Sequence, residues 1–531
     1  MSPTSYQAAL PRSLEFLSLV HSLVRVNDLV DLKCFQFQYT YTSPMQRVDT
    51  AQEVQRLLSQ SDFLKAFEIS EQWTRKQPTV LGAWLGFTRA ALGRGMIGAA
   101  DIAATHAVRL APTDPQTIFF RAIIDHRLGQ SDLAIERLQA LVKSNNPYAT
   151  DAALYLAEVL HRTARHDELQ SLINAGGAWL ADERAILYRG RAMSRVDNNA
   201  AIEILQNYAR SSASPMARRT AGFDAVRWLD GAGRYKEAFD LAAHLHATTA
   251  APFDVDGLER EVLHQLRLLQ DGRSWCAPRA PAVSTISLVV SLPRSGTTLL
   301  EQMLDRHSQV TGIGEYDGIP IMGDVLRANG PWIDQLQSMF PQQAAALQTQ
   351  YLDGARLRLR PGTTHSFDKM LLIWLWLPIV AAILPGANCL HMARDPRDTA
   401  VSMFLSNFHP RSMGWTRSLD EIRRVIAAER SLLPQALTTL EIPHETIVYE
   451  NLVANPEATL QRCLARMGLE MEPAVLAPQD NRRTVHTLSH EQVRKPINAN
   501  SIGRWRNYEW AFEETWKPLV HVHDQRRANQ P

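Results

Sequence analysis

Cysteine is scarce in this chain of 531 residues. The four cysteines, Cys34, Cys276, Cys389 and Cys463, lie far apart and include no CxxC pair. A small disulfide scaffold and a cysteine-based zinc site both need closely spaced cysteines, so neither is predicted, and a reducing compartment is expected. The 17 histidines contain no HExxH motif, and we predict no metal site.

A surplus of charge of one sign is also missing. Lys and Arg total 56 against 55 Asp and Glu, which gives a net charge of +1. Because non-specific nucleic-acid binding depends on a broad basic field, no nucleic-acid partner is predicted, and any anion site must be local. Hydrophobic residues make up 45% and charged residues 21% of the chain, as in ordinary folded proteins of several domains.

Long apolar runs are absent. The longest, Met370–Leu384, contains Pro378 and falls short of the ~20 residues that span a bilayer, so it is predicted to be a buried core helix. Near the start of the chain, Glu15 interrupts the apolar patch that follows Arg12, and no small-residue cleavage site follows. We therefore expect no secretory signal, no membrane span and a cytoplasmic location.

A 34-residue period marks the first half of the chain. Ala66, Ala100 and Ala134 are 34 apart, as are Pro78 and Pro112. This spacing is typical of helix-hairpin repeats, in which small residues let the helices pack closely. From about residue 50 to 246 no strand-like alternation occurs, so an all-α solenoid with a concave face is predicted.

The segment AWLGFTRAALGRG, residues 83–95, resembles helix A of the tetratricopeptide (TPR) family, with Trp84, Gly86 and Ala90 at the aromatic and packing positions. The resemblance implies five or six TPR repeats, of which the later ones are degenerate. TPR arrays bind peptides or proteins, or mediate self-association.

Strand-like and helical runs alternate after residue 285, which predicts an α/β domain with a parallel sheet. Predicted strands cover residues 285–291, 364–367, 388–393 and 445–449, and predicted helices cover residues 299–307, 371–384, 399–407 and 456–467. The predicted domains are an irregular segment 1–49, a TPR-like region 50–270, a linker 271–284 and an α/β domain 285–531.

The first predicted strand of the α/β domain runs into the heptapeptide LPRSGTT, residues 292–298, and then into a helix. Strand, glycine-containing loop and helix N-terminus in this order form an anion site. The ATPase motif GxxxxGK[ST] is not met, because its lysine and first glycine are missing. The loop resembles the phosphosulfate loop of sulfotransferases that use 3′-phosphoadenosine-5′-phosphosulfate (PAPS). That resemblance implies cofactor binding by Arg294, Ser295, Gly296, Thr297 and Thr298.

Further segments resemble the same family in the same order. Arg394 follows a strand and Ser402 comes eight residues later, which implies that both hold the 3′-phosphate. Tyr449 resembles a nucleotide-side aromatic, although closing the sheet edge would explain it equally well. In the C-terminal segment the family pattern points to Ser489 and Arg504. The sequences of these motifs most resemble those of tyrosylprotein sulfotransferases and bacterial TPR-containing sulfotransferases. This resemblance implies a P-loop-like fold.

The catalytic residues also come from this resemblance. Glu315 takes the place of the family's catalytic glutamate and is expected to be the general base, with His307 and Asp317 as runners-up. Lys369 matches a strand-end lysine that neutralises the leaving oxygen, and Ser489 assists it. Sulfuryl transfer requires no metal in principle.

The acceptor stays open at this stage. A tyrosine hydroxyl of a peptide or protein bound by the TPR region is one alternative, and a carbohydrate or small hydroxylated metabolite is another. If the acceptor is a peptide, deleting residues 50–246 should raise its KM and leave binding of 3′-phosphoadenosine-5′-phosphate (PAP) intact. The competing functions are a P-loop kinase or NTPase and a TPR scaffold with an inactive C-terminal domain.

Overall fold

In the computed structural model of the protein, the described residues of the first half form helices without strands, and strands and helices follow. It describes residues 50–481 except 213, 329 and 411, and residues 496–529. The predicted irregular segment 1–49 and Ser489 lie outside these residues. Within them, no helix is long and apolar enough to cross a membrane.

The first region consists of thirteen α-helices among the described residues. Asp62, Asp114 and Ser214 cap three of them by accepting a backbone N–H in the first turn. The helices are α1 Thr50–Ser59, α2 Phe63–Lys76, α3 Leu81–Gly93, α4 Ile97–Leu110, α5 Pro115–Arg127, α6 Ser131–Lys143, α7 Ala149–Arg162, α8 His166–Asn174, α9 Ala185–Met193, α10 Asn198–Ser211, α11 Pro215–Gly231, α12 Tyr235–Thr249 and α13 Val255–Gln270.

Successive helices of this region pack against each other, and side chains link positions one period apart. Arg89 donates to Gln55 across 34 residues, and Arg191 bonds Glu158 and Asp224 across 33 residues in each direction. The alanines that revealed the period are fully buried between helices. The all-α prediction is confirmed for the described residues, and the assignment to the TPR family stays a prediction.

The second region is built on a parallel sheet of five strands among the described residues. They are β1 Ile286–Val289, β2 Val310–Gly314, β3 His365–Asp368, β4 Asn388–Ala393 and β5 His444–Val448. Their order in the sheet is β2-β3-β1-β4-β5, and every pair is parallel. All carboxyl ends therefore lie at one edge, and the prediction of an α/β domain with a parallel sheet is confirmed.

Helices connect and cover these strands, with one departure from prediction. The single helix expected over 371–384 is a short 3-10 turn, Ile373–Trp376, followed by a seven-residue α-helix. Pro378 lies in the first turn of that helix, where its missing N–H costs nothing. The helices are α14 Thr297–Leu304, α15 Gly318–Arg327, α16 Trp332–Ser338, α17 Pro341–Arg356, α18 Leu377–Ile383, α19 Pro396–Phe404, α20 Leu419–Thr439, α21 Tyr449–Ala454, α22 Pro456–Arg466 and α23 Lys517–Ala528.

The last helices of the first region share a hydrophobic core with the sheet domain. Buried side chains of α10 to α13 belong to the same cluster as those packed on one side of the sheet. The segment 271–284, predicted to be a linker, is packed as well, since Trp275 and Cys276 are buried and the Val283 N–H donates to Pro385 O at 2.7 Å. The end of the helical region is thus packed on the sheet domain, which matters for the site below.

Candidate active site

Predicted site residues follow the carboxyl end of each of the five strands. The loop 292–298 follows β1, Glu315 follows β2, Lys369 follows β3, Arg394 follows β4 and Tyr449 follows β5. In open parallel sheets, ligands bind outside the carboxyl ends of the strands, where the strand order changes direction. The central strand β1 sits at that change of direction.

The loop after β1 has the backbone shape of an anion cradle. Arg294 and Gly296 both have positive φ, at 67° and 104°, and α14 begins immediately at Thr297. Ser295 Oγ donates to Leu292 O at 2.7 Å, which closes the turn, and both threonines are buried. The loop N–H groups and the helix N-terminus therefore converge on one point, which favours a phosphate or sulfate group.

Four elements bring their predicted residues together around this loop. Arg294 Nε donates to Ser402 Oγ on α19 at 2.8 Å, and Arg394 Nη1 donates to Arg294 O at 2.8 Å. The Arg394 guanidinium lies 4.8 Å from the centre of the Tyr449 ring. A Cβ on Gly296 would lie 2.4 Å from a carbon of that ring, so only glycine fits beneath Tyr449.

The Arg394 guanidinium also reaches the C-terminal segment. One of its nitrogens donates to Ser501 O, and Nη2 lies 3.9 Å from Asp398 Oδ2. Its Nε is buried and has no hydrogen-bond partner among the described residues. The buried Asp398 carboxylate accepts from the N–H groups of residues 503 and 505, at 2.7 and 2.8 Å. Sequence reasoning missed Asp398, although it stands within the DPRD segment that follows β4.

Positive charge accumulates here. Burial, together with the nearby charges of Arg394 and Arg504, lowers the pKa of Arg294 to about 10. Like charges held this close in a buried place destabilise one another until an anion joins them. The loop therefore presents a local positive potential in a protein of nearly zero net charge.

Arg504, predicted to touch the cofactor, is bound by the helical region. Its guanidinium pairs with Asp230 Oδ2 near the end of α11, and Tyr508 Oη donates to Asp230 Oδ1 at 2.5 Å. This ion pair raises the pKa of Arg504 against the opposing effect of burial. Asp230 had no sequence signal as a site residue, since 274 residues separate it from Arg504.

The predicted base and the predicted strand-end lysine form a buried ion pair. Lys369 Nζ donates to Glu315 Oε1 at 2.9 Å, and the two side chains are 1% and 10% exposed. The other carboxylate oxygen of Glu315 is buried without a hydrogen-bond partner among the described residues. Glu301 Oε1 accepts from the Gly314 N–H at 3.0 Å and helps fix the loop that carries Glu315. One carboxylate oxygen is thus oriented and the other is available to a substrate proton.

The runners-up for the base lie in different places. Asp317 is partly buried two residues beyond Glu315, and desolvation raises its pKa. Its carboxylate lies 4.0 Å from where a Cβ on Gly95 would be, so the α3–α4 turn of the helical region borders this loop. His307 is bound to Glu470 O at 2.9 Å just before β2 begins, at the amino edge of the sheet and away from the other site residues.

Comparison with known proteins finds similarity to sulfotransferases in the second region. A model of the Sulfotransferase family matches residues 288–473. A 330-residue stretch is 26% identical to an uncharacterized protein of Aquifex aeolicus and covers 58% of this chain and 42% of that one. A protein-tyrosine sulfotransferase of Drosophila melanogaster is 24% identical over 40% of this chain and 45% of its own length. Protein-tyrosine sulfotransferase 1 of Danio rerio is 25% identical over 40% of this chain and 63% of its own length.

The chain therefore spans less than two thirds of the length of these relatives. Among solved structures, the sulfotransferase domain from the curacin biosynthetic pathway is similar at 19% identity and a TM-score of 0.34. That similarity covers 46% of this chain and 98% of the other.

Proposed function

Because a model of the Sulfotransferase family matches residues 288–473, we propose that the protein transfers a sulfuryl group from PAPS to a hydroxyl acceptor. The observation that carries this proposal is the meeting of Arg294, Arg394 and Ser402 around the loop that ends at Thr297. A nucleotide with phosphate groups at both its 3′ and 5′ positions needs two anion sites side by side. The loop supplies one, and Arg394 with Ser402 supplies the other.

The residues present fit PAPS. Arg394 keeps one buried N–H without a partner among the described residues, which is a donor available for the 3′-phosphate. Gly296 leaves the backbone of the loop open to close approach. The loop also lacks the lysine that P-loop kinases and NTPases place before the threonine, which disfavours that alternative.

Bound PAPS supplies an activated sulfuryl group whose sulfur accepts the acceptor oxygen as the bond to the 5′-phosphate oxygen breaks. Glu315 takes the proton of the attacking hydroxyl, for which its free carboxylate oxygen is suited. Lys369 holds Glu315 in place, and its charge stabilises the oxygen left on PAP. The products are a sulfate ester and PAP, and the proton stays on Glu315 until it passes to solvent.

For the acceptor, we propose a tyrosine hydroxyl of a peptide or protein. Two of the relatives above carry the name protein-tyrosine sulfotransferase. The α3–α4 turn of the helical region lies next to Asp317 and so borders the Glu315 side of the site, where an acceptor must enter. A carbohydrate, a small metabolite, or a helical region that serves only in self-association are the alternative outcomes of an acceptor screen with radiolabelled sulfate.

Calorimetric titration with PAP, ADP and ATP tests the cofactor. We expect binding of PAP alone, weakened about 10- to 100-fold in Arg394→Ala, since a charge-assisted hydrogen bond contributes about 1.5–3 kcal/mol. Arg356→Ala is the matched control, because Arg356 forms only an exposed pair with Asp353. Preference for ATP would favour a kinase or NTPase, and no nucleotide binding at all would favour a scaffold with an inactive domain.

These measurements do not test the location of the protein in the cell. The cytoplasmic location expected from the sequence stays a prediction, and fractionation of cells that produce the full chain would test it.

A further inference from the structure

We propose that Asp230, in the helical region, is a positioning residue of the cofactor site. It holds Arg504 at the edge of the cluster formed by Arg294 and Arg394. The inference rests on the proposed use of PAPS and adds that the site is assembled from both regions of the chain. The helical region then has a part in donor binding as well as any part in acceptor binding.

Both carboxylate oxygens of Asp230 are committed to the second region. Oδ2 pairs with the Arg504 guanidinium, and Oδ1 accepts from Tyr508 Oη at 2.5 Å. The Asp230 side chain is only 12% exposed. A buried carboxylate with two charge-assisted partners fixes both partners in direction, because any movement would leave the charge unpaired.

Arg504 is held where its charge acts on the phosphate-binding loop. Asp398 connects Arg504 to the cluster, because its carboxylate lies 3.9 Å from Arg394 Nη2, and the charges of Arg394 and Arg504 both lower the pKa of Arg294. Arg504 is one of a turn of residues that Asp398 binds through backbone N–H groups on either side. Asp398 therefore fixes the backbone of this turn, and Asp230 fixes the direction of its arginine.

Among the described residues, no other ion pair holds Arg504. Its remaining interactions are with Tyr508, which itself donates to Asp230. Tyr508 is fully buried and packs its ring against Tyr235 of α12, so the helical region also supports this aromatic. Without Asp230 the guanidinium has no fixed anion until the cofactor arrives, and ordering it then weakens cofactor binding.

This arrangement revises one expectation drawn from the sequence. Deleting residues 50–246 was expected to leave PAP binding intact. The deletion removes Asp230 as well as His246, whose Nε2 lies 2.9 Å from Phe404 O on the helix that carries Ser402. It would also open the shared core, so point variants are the proper test.

The test is PAP titration of the full chain carrying Asp230→Asn. We expect the Kd for PAP and the KM for PAPS to rise about tenfold, with kcat changed less than twofold. The matched control is Asp224→Asn on the same helix. The Asp224 side chain is 16% exposed and pairs with Arg191 at 2.7 Å wholly within the helical region. It should lower the melting temperature at least as much and leave the Kd unchanged.

Arg504→Gln and the double variant Asp230→Asn, Arg504→Gln complete a double-mutant cycle for PAP binding. If Asp230 acts through Arg504, the double variant binds PAP no more weakly than the worse single variant. Additive losses, an unchanged Kd in Asp230→Asn, or tighter binding from loss of a competing anion would each overturn the inference. If Asp230→Asn does not fold, Tyr508→Phe is the substitute, because it removes one of the two hydrogen-bonded partners of Asp230. An unchanged Kd for PAP in Tyr508→Phe would then contradict the inference. Failure of the unaltered protein to bind PAP would instead reject the proposed function.

Discussion

The two halves of the candidate site handle charge in opposite ways. On the side proposed to bind the sulfuryl donor, called here the donor side, Arg294 and Arg394 donate hydrogen bonds to the Ser402 hydroxyl and to two backbone carbonyls, and the Asp398 carboxylate lies 3.9 Å from Arg394 Nη2. On the acceptor side, Lys369 donates to a carboxylate, and the pair is neutral as a whole. The donor side is thus prepared for a multiply charged anion. The acceptor side is prepared for a neutral hydroxyl whose proton must leave, and variants on each side should separate binding from chemistry.

Glu315→Gln should have the largest effect. An amide cannot take the proton of the acceptor, so we expect kcat to fall about 10²- to 10⁴-fold, the usual contribution of a general base. The Kd for PAP should not change, because the donor side is left intact. Single-turnover transfer and PAP titration measure the two halves separately. An equal loss of PAP affinity would show that the two sides are not independent.

The control for this variant is Glu237→Gln. Glu237 is 55% exposed and pairs with Arg234 on the outside of the helical region. It should keep both transfer and PAP binding. If Glu315→Gln retains most of its transfer rate while Asp317→Asn loses it, the base is Asp317 and the role proposed for Glu315 is wrong.

Lys369→Met tests whether the ion pair between Lys369 and Glu315 also contributes to the stability of the fold. Removing the lysine leaves Glu315 with an unpaired charge in a buried place, which costs about 3–5 kcal/mol of folding free energy. The double variant Glu315→Gln, Lys369→Met removes both charges and should recover much of that loss, but none of the activity. Denaturant unfolding and transfer rates measure both. A double variant no more stable than Lys369→Met would show that the pair contributes little to folding.

Gly296→Ala probes the donor side. The added Cβ would meet Tyr449 and would also sit at a positive φ, so we expect a loss of about 1–3 kcal/mol in stability together with weaker PAP binding. Gly468→Ala is the matched control, because Gly468 has a φ of 74° and nothing within 4 Å of the added carbon. The difference between the two variants isolates the contacts of the added carbon with Tyr449 and Met392. Equal losses would mean that backbone strain alone is responsible.

The residues of the donor side lie within short motifs, so they could be named from the sequence, and their role in binding stays a prediction. The strand β4 has its predicted bounds, and Arg394 and Ser402, both named from the family resemblance, lie beside the loop. The structure of the loop 292–298 could also be predicted from the sequence, because a strand, a glycine-containing loop and a helix follow one another directly.

Contacts between side chains that are distant in the sequence could not be predicted from it. Glu315 and Lys369 were each named from the resemblance, but their contact arises because β2 and β3 are neighbours in the sheet. Asp230 and Arg504 meet only because the helical region packs on the sheet domain through a shared core, and no local pattern encodes that docking. Pro378 misled for a simpler reason, since a proline inside an apolar run also begins a helix.

The smallest effect is expected from Asp368→Asn, next to Lys369. Burial raises the pKa of Asp368 to about 7, and its carboxylate accepts from Tyr351 Oη at 2.8 Å and from the Met370 N–H at 2.9 Å. The folded state therefore binds this proton more tightly than the unfolded chain, whose Asp pKa is about 3.9. The stabilisation is complete below about pH 4 and is lost as pH rises through about 7.

Asparagine cannot lose that proton, so Asp368→Asn should gain melting temperature relative to the unaltered protein as pH rises from about 5 to 8. The gain should be only a few degrees, because a chain of this length shifts by about 2 °C or less per kcal/mol. Asp353→Asn, at an exposed pair with Arg356, should show no such trend. A difference that stays flat or falls with pH would mean that Asp368 is ionised in the folded protein, and the acceptor side would then carry a net negative charge beside Lys369.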